Sequence, residues 1–401
     1  MDTPTRILVC GGGNGAHTLA ATAAAMTNVE VNVMTLYSDE AQRWRNILGR
    51  DSIVVEVFYN DGSTGKLEGK PRMITKDPAK SMEGVDAIFF VVPAFAHQQY
   101  FEAITKYIKP NTIVIGMPGQ AGFEFQALKH LKDAAKLCGV ISLESLPWAC
   151  RILEFGRRVQ VLGFKDVLGA SVIPGKGKYK VSPLEFAQRI MGAKPVLKAT
   201  QNYIAVNLMA KSIVHPPVLY GKWRNWDGNP LPEPPLFYQG VDDIQADMLT
   251  KVSNEVVATA KEIERQNNEL DMSAVIHVLN WYRLYYSEQI SDDSSLRSCM
   301  VTNSAYNGLL HPMKKVEGGY VPDFNFRYTA EDVPFGLVVM KGIAECVGMK
   351  TPTLDEVIVW AQEKLGKEYV VGSRLKGKDV GETRAPQAFG FTTINDLCSV
   401  L

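Results

Sequence analysis

The 401-residue chain has no charge excess: 43 lysines and arginines balance 43 aspartates and glutamates. It lacks the basic surplus that neutralises phosphates, so no nucleic-acid partner is expected. Cysteine is scarce, and the six present (Cys10, Cys138, Cys150, Cys299, Cys346, Cys398) are scattered without a C-x-x-C pair. They read as reduced, buried thiols in a reducing compartment, and no metal is expected. Apolar runs of about 18 residues are absent, so no membrane span is expected. The opening Met-Asp-Thr-Pro enters a strand by residue 6, leaving no room for a signal peptide, and a cytoplasmic protein is expected. Internal repeats and low-complexity tracts are also missing. With 46% hydrophobic and 21% charged residues the chain is ordinary for a globular protein, and its length suits two domains.

What is present begins with a glycine turn. Arg6-Ile7-Leu8-Val9-Cys10 reads as a buried strand, and Thr18 to Met26 as a helix of small residues. Between them Gly11-Gly12-Gly13-Asn14-Gly15-Ala16-His17 carries the G-x-G-x-x-A pattern in the strand–turn–helix context that gives it meaning. Gly11 permits the tight turn, Gly13 lets backbone approach a pyrophosphate, and Ala16 keeps helix and strand close. Asn14 and Gly15 complete the cradle at a helix N-terminus, which favours anions. A purely structural strand–helix turn is the alternative.

Strand-like and helix-like segments alternate through the first half. Val29–Leu36 reads as a strand, Asp39–Leu48 as a helix, and Val54–Phe58 with Gly62–Leu67 as a small hairpin. Ala87–Val92 is an apolar run ended by Pro93; 112–116 and 139–143 repeat the form, with helices expected over 98–108 and 123–137. Strands at 158–162 and 168–173 should extend the same sheet, and Ser182-Pro183-Leu184-Glu185 starts a helix. Residues 1–200 therefore read as an α/β, doubly wound Rossmann-type domain that binds NAD(H). Residues 201–401 read as an all-α domain carrying substrate and catalysis. Ile244, Met248, Val252, Val256 and Ile263 lie on one helix face, and further helices are expected at 272–286 and 335–347. Gly348 should end the last of these, and Thr353-Leu354-Asp355-Glu356 reads as a capping box for a helix closed by Gly366. A cleft between the domains would receive the nicotinamide.

The residue expected to meet the adenosine ribose lies at the end of the second strand, where the chain offers Thr35, Leu36 and Tyr37, with Asp39 as the first acid. Arg43 and Arg45 are near enough to keep a 2′-phosphate in play, although a solvated helix face explains them as well. NAD is favoured. Pro93 and His97, at the C-terminal end of a core strand, are plausible cofactor contacts. Of the six histidines His215 stands out, because Pro216-Pro217 holds it at a helix end. There it would serve as a general acid–base, against the alternative of a satisfied structural histidine. Asp332 is a candidate partner, or simply an N-cap. Arg327 is a candidate carboxylate clamp, or a surface ion pair.

The blocks Cys10–His17, Val92-Pro93-Ala94-Phe95-Ala96-His97, Gln120–Phe125, Leu146–Arg151, Val214-His215-Pro216, Pro235–Gly240, Trp360–Lys364 and Gly377–Val380 run almost the length of the chain. In this order the chain resembles the opine dehydrogenase family, of the invertebrate octopine, alanopine, strombine and tauropine dehydrogenase type. The resemblance implies NADH-dependent reductive condensation of an amino acid with a 2-oxo acid, usually pyruvate, in anaerobic glycolysis. It implies that His215 is the acid–base, Asp332 its orienting partner and Arg327 the carboxylate holder. Gln120 and Cys150 fall in stretches lining the amino-acid site, and a monomer is expected. Lys211, four residues before His215 and on the same helical face, departs from the arginine-using pattern and points to a small or neutral amino acid such as taurine, alanine, β-alanine or glycine. Two alternatives stay open. One is a lysine-dependent dehydrogenase of the 6-phosphogluconate or glycerol-3-phosphate type, with Lys211 as the acid; the other is a non-catalytic NAD-sensing protein.

Overall fold

The computed structural model describes residues 4–59, 62–200 and 202–399. It divides into two compact units, Met1–Tyr203 and Ile204–Leu401.

The strands of the first unit are β1 (Thr5–Cys10), β2 (Val29–Met34), β3 (Ile53–Phe58), β4 (Thr64–Gly69), β5 (Met73–Thr75), β6 (Ala87–Phe90), β7 (Ile113–Gly116), β8 (Gly139–Leu143), β9 (Trp148–Glu154), β10 (Arg158–Phe164), β11 (Val167–Ile173) and β12 (Val196–Ala199). Its helices are α1 (Asn14–Ala24), α2 (Glu40–Leu48), α3 (Pro78–Ser81), α4 (Ala94–Ile104), α5 (Phe123–Leu131) and α6 (Pro183–Met191). The main sheet has the order β12-β11-β8-β7-β6-β1-β2-β5. From β5 to β8 all neighbours are parallel, with sequential strands on either side of β1. This is the doubly wound nucleotide-binding order, and it puts the switch point at the C-terminal end of β1, where the glycine turn stands. β6, β7 and β8 are buried at every position, as strands covered on both faces must be.

Several expectations need correction. Arg158–Leu162 does not extend the main sheet; β10 joins a second sheet ordered β4-β3-β10-β9, in which β9 was not foreseen. β5 and β12, both short, also carried too little pattern to be read. The second sheet grips α1. Asn14 Oδ1 accepts the Ile152 N–H at 2.9 Å, and His17 Nε2 accepts the Gly156 N–H at 3.1 Å. On α1's other flank Gly69 has no room for a side chain, because a Cβ there would strike the Ala21 carbonyl.

The second unit is helical, with α7 (Tyr203–Leu208) at its start, then α8 (His215–Trp223), α9 (Asp243–Gln266), α10 (Val278–Tyr285), α11 (Leu296–Val301), α12 (Arg327–Ala330), α13 (Val338–Cys346), α14 (Pro352–Leu365) and α15 (Ile394–Cys398). It is not free of strands. Met313–Val316 (β13) pairs with Gly319–Pro322 (β14), and Val370–Val371 (β15) with Arg374–Leu375 (β16). Met248, Val252, Val256 and Ile263 are buried on α9, whereas Ile244, in its first turn, is half exposed. The helix expected from residue 272 starts only at Val278. α14 is not opened by a box of its own: the Thr353 and Leu354 N–H groups donate to the Glu255 carboxylate of α9 at 2.8 and 2.9 Å. That bond fastens α14 to α9 as well as capping it. Gly348 and Gly366, in the left-handed region at φ +76° and +64°, close their helices.

Candidate active site

In the first unit the turn is shaped for an anion. Gly11 has φ +123°, and a Cβ on it would come within 2.6 Å of the Val91 carbonyl. A Cβ on Gly15 would press on Leu146 and Val91 at 2.9 and 3.0 Å, and Ala16 is wholly buried. Gly13 is open, with nothing near its absent side chain, and caps α1 without a side-chain hydrogen bond. The first turn of α1 holds no acid. Unpaired N–H groups, an open glycine and the positive end of an eleven-residue helix fit a pyrophosphate. Asn14 contributes its backbone here, because its side chain is committed to Ile152.

The acid that comes to the end of β2 is Glu40, not Asp39. Its carboxylate accepts from the Thr35 hydroxyl and lies where a side chain on Gly12 would have to go. Asp39 is exposed at the N-cap of α2. Arg43 lies over the Phe155 ring at 4.6 Å and Arg45 bonds to Gln42, so both follow the helix-face reading. Pro93 is exposed at the N-cap of α4. His97 belongs to the core: it is 0% exposed, its Nε2 donates to the Val92 carbonyl at 2.9 Å, and its ring packs on Phe90 and Phe123. A ring so enclosed supports the loop rather than offering an atom to a nucleotide. Gln120 stands in the left-handed region at φ +64°, a conformation costing a non-glycine residue about 1 kcal/mol or more. Cys150 is buried on β9, and burial pushes its thiol pKa up.

In the second unit a different site is assembled from distant segments. α8 opens at His215, followed by Pro216 and Pro217, whose missing N–H groups cost nothing in a first turn. The partner segment departs from α geometry. The Glu331 and Asp332 N–H groups both donate to the Arg327 carbonyl, at 3.0 and 3.1 Å, and the Leu337 N–H donates to the Asp332 carbonyl at 3.0 Å. Pro334 cannot donate, and Val333–Leu337 winds as a π-turn leading into α13. Gly336 faces the Lys211–Ile213 turn so closely that a Cβ on it would strike the Ser212 side chain. That approach delivers Asp332 to His215.

The His215 Nδ1 lies 2.6 Å from the Asp332 carboxylate, across 117 positions of sequence. A carboxylate only accepts, so Nδ1 carries the proton and Nε2 is left as the reactive nitrogen. The Tyr238 hydroxyl donates to Nε2 at 2.7 Å. Tyr328 stacks on the imidazole at 3.7 Å and 11°, and Phe237 meets its edge at 5.6 Å. Tyr238 in turn stacks on Tyr306 at 3.9 Å, and burial holds both phenols well above the ordinary tyrosine range. Beneath Phe237, burial lowers His311 to about 3, so it is neutral and accepts the Trp223 indole N–H at 3.2 Å.

Arg327 opens α12, exposed and without an ion pair among the described residues; its carbonyl bonds root it one turn from Asp332. Lys211 does not share a continuous α-helical face with His215. It lies in a 3-10 turn, exposed, at a shallow pocket with Met209, Val214, Ile276 and Trp281. The sequence reasoning missed Glu40, Tyr238, Tyr328 and Gly336. Only Gly336 left a local signal, as a lone glycine inside an apolar helical run.

Among the described residues no cluster of three or more His, Cys, Asp or Glu could hold a metal, and no helix is long and apolar enough to cross a membrane. The profile of the family described as NAD/NADP octopine/nopaline dehydrogenase, alpha-helical domain, matches residues 199–365. The chain is 51% identical to an opine dehydrogenase of Haliotis discus hannai over 100% of both chains. It is 48% identical to octopine dehydrogenase of Pecten maximus over 97% of this chain and 98% of that one. Tauropine dehydrogenase of Arabella iricolor is 44% identical over 98% and 99%. The solved structure of an octopine dehydrogenase with NADH and L-arginine superposes with a TM-score of 0.94 at 47% identity, covering 98% of this chain and 97% of that one. The chain therefore belongs to the octopine/nopaline dehydrogenase family, the NAD-dependent oxidoreductases that act on CH–NH donors.

Proposed function

We propose that this chain condenses an amino acid with pyruvate and reduces the product to an N-(1-carboxyethyl) amino acid, reoxidising NADH in anaerobic glycolysis. The observation that carries the reading is the His215–Asp332 pair, with Nδ1 fixed on a carboxylate and Nε2 turned to a hydroxyl. Addition of an amine to a carbonyl, loss of water and reduction of the imine each need a proton moved at neutral pH. His215 Nε2 takes the proton of the attacking amine and returns it to the departing oxygen. Asp332 fixes the tautomer and stabilises the imidazolium in between. Arg327, with no acidic partner among the described residues, is the fork for the pyruvate carboxylate. NADH supplies the hydride, and the open Gly13, the α1 N-terminus and Glu40 are the groups that would hold its pyrophosphate and ribose. Gln120 lines the amino-acid side of the reaction; Cys150, buried on β9, offers it no exposed atom, and Thr35 acts through Glu40. A similar octopine dehydrogenase has been solved with NADH and pyruvate, which supports the choice of oxo acid.

The amino acid is read from Lys211. Lys211 departs from the arginine-using pattern, and on that departure alone a small substrate such as taurine, β-alanine, alanine or glycine is preferred; the pocket that Lys211 lines with Met209 and Trp281 does not include His215. Steady-state assays with NADH, pyruvate and a panel of amino acids test both levels. Amine-dependent NADH oxidation with a small amino acid preferred is the expected result. Arginine winning tenfold in kcat/KM would overturn the specificity, and no amine dependence at all would overturn the reaction. His215→Ala should remove most turnover and Lys211→Ala should not; the reverse would favour the lysine-dependent class. The enzyme is further proposed to be a cytoplasmic monomer, in keeping with six free cysteines of which five are buried.

A further inference from the structure

Two asparagine–glycine pairs occur in the sequence, Asn14-Gly15 and Asn307-Gly308. Glycine has no side chain to shield its nitrogen, so an asparagine in front of it readily loses its amide. Asn14 stands in the first turn of α1, with its side chain bonded to Ile152. Asn307 and Gly308 lie instead in an exposed turn, straight after Tyr306.

Tyr306 to Leu309 form a type II turn. Asn307 has φ −53° and ψ 122°, Gly308 takes the left-handed φ of +71°, and the Leu309 N–H donates to the Tyr306 carbonyl at 3.2 Å. Gln239 closes over this turn. Its Nε2 donates to Asn307 Oδ1 at 2.8 Å, and its Oε1 accepts the Gly308 N–H at 3.3 Å. A backbone N–H only donates, which fixes the orientation of the Gln239 amide. In an L-residue a positive ψ of this size turns the following nitrogen toward Hα and away from Cβ. The Gly308 nitrogen therefore reaches Asn307 Cγ only after the turn flips, and both reacting groups are tied to one side chain.

We propose that Asn307 is a deamidation site kept closed by Gln239, and that its conversion disturbs the aromatic stack behind His215. The Gly308 nitrogen attacks Asn307 Cγ, the bond from Cγ to the side-chain nitrogen breaks, and ammonia leaves with the Gly308 proton. Water then opens the five-membered imide at one carbonyl or the other, giving aspartate or isoaspartate; no oxidant or reductant enters. Either product puts a negative charge beside Gln239, and isoaspartate lengthens the main chain by a methylene. The preceding residue, Tyr306, stacks on Tyr238 at 3.9 Å, and the Tyr238 hydroxyl donates to His215 Nε2 at 2.7 Å. The chemistry at Asn307 is independent of the reaction read above; only its effect on turnover rests on that reading.

The test incubates the whole protein and Gln239→Ala side by side at mildly alkaline pH. Peptide mass mapping and labelling by an isoaspartate-specific methyltransferase follow position 307. The variant should convert about five- to thirtyfold faster, the worth of one or two lost hydrogen bonds to an opening equilibrium. Its NADH oxidation should fall as conversion proceeds, and in denaturant the two chains should convert at the same rate. Gln239→Glu, which still accepts from Gly308 but cannot donate to Asn307, is the second variant and should also outpace the unsubstituted chain. Gln239→Ala combined with Asn307→Ser has no amide to lose there and should keep its starting turnover throughout. Equal conversion in the folded unsubstituted chain and both variants would overturn the guard. Full conversion at 307 with turnover unchanged would overturn the link to His215. If the unsubstituted enzyme shows no amine dependence, the mass measurement still decides the guard.

Discussion

Two histidines, one in each unit, are built almost alike and do opposite things. His17 and His215 both sit in the first turn of a helix, and both lie flat on an aromatic ring, Trp44 at 3.6 Å and 3° or Tyr328 at 3.7 Å and 11°. They differ in what the nitrogens meet. His17 offers Nδ1 to the Gly13 carbonyl and accepts the Gly156 N–H at Nε2, and burial lowers its pKa to about 4. It is a neutral cross-brace. His215 has a carboxylate on one side and a hydroxyl on the other, so either protonation state finds a partner. Stacking alone does not mark a catalytic histidine; the charge of its partners does.

The largest way to sharpen the contrast is to remove the partners. His215→Ala or Asp332→Asn should lower kcat by about 10²–10⁴-fold, the usual worth of acid–base catalysis. Steady-state NADH oxidation measures it. His17→Ala should lower Tm instead, through a loss of about 2–4 kcal/mol of stability for a buried, hydrogen-bonded ring. Next, Gly336→Ala forces the 211–213 turn away from the π-segment. We expect kcat to fall about tenfold or more, with about 1–3 kcal/mol of stability lost to overpacking. If kcat holds while Tm falls, close approach at Gly336 does not set the His215–Asp332 distance.

Acid tests the neutral, structural histidines without mutation. Both His17 and His311 have folded-state values lowered below 6.5, to about 4 and about 3. The unfolded chain therefore binds more protons as pH falls below 6.5, and stability drops from there toward pH 4 with no matching change above 7. At the foot of that window each contributes about 3 kcal/mol. Chemical denaturation along a pH series reports it, and His311→Asn should flatten the slope. The smallest expected effect is at Glu40. Glu40→Gln should raise the KM for NADH several-fold and narrow the preference over NADPH, as measured with both cofactors; an unchanged ratio would remove Glu40 from ribose recognition.

The glycine turn was legible in the sequence because its function is local: seven contiguous residues contain the tight turn, the open glycine and the helix start. The alternating β and α pattern was legible for the same reason. The second sheet was not, since β3 pairs with β10 across about a hundred residues and neither strand announces its partner. His215 and Asp332 could be singled out one at a time, by Pro216-Pro217 and by position before an apolar helix. Their meeting depends on a π-turn and on Gly336, which no periodicity encodes. Tyr238 and Tyr328 are invisible without that geometry, because a tyrosine in an aromatic-rich loop reads as packing. Glu40 was passed over for Asp39 because the side-chain reach that brings it to Gly12 is not a matter of spacing.

The bonds from Asn14 to Ile152 and from His17 to Gly156 also set a timetable. As the chain leaves the ribosome the nucleotide turn precedes its anchors, which emerge about 140 residues later. At ordinary synthesis rates of about 5–20 residues per second the turn waits about 7–28 seconds, with α1 exposed and ungripped. The cofactor cradle is therefore written early and finished late. A fragment that stops before β9 would carry the whole glycine signature and lack the sheet that holds it in place.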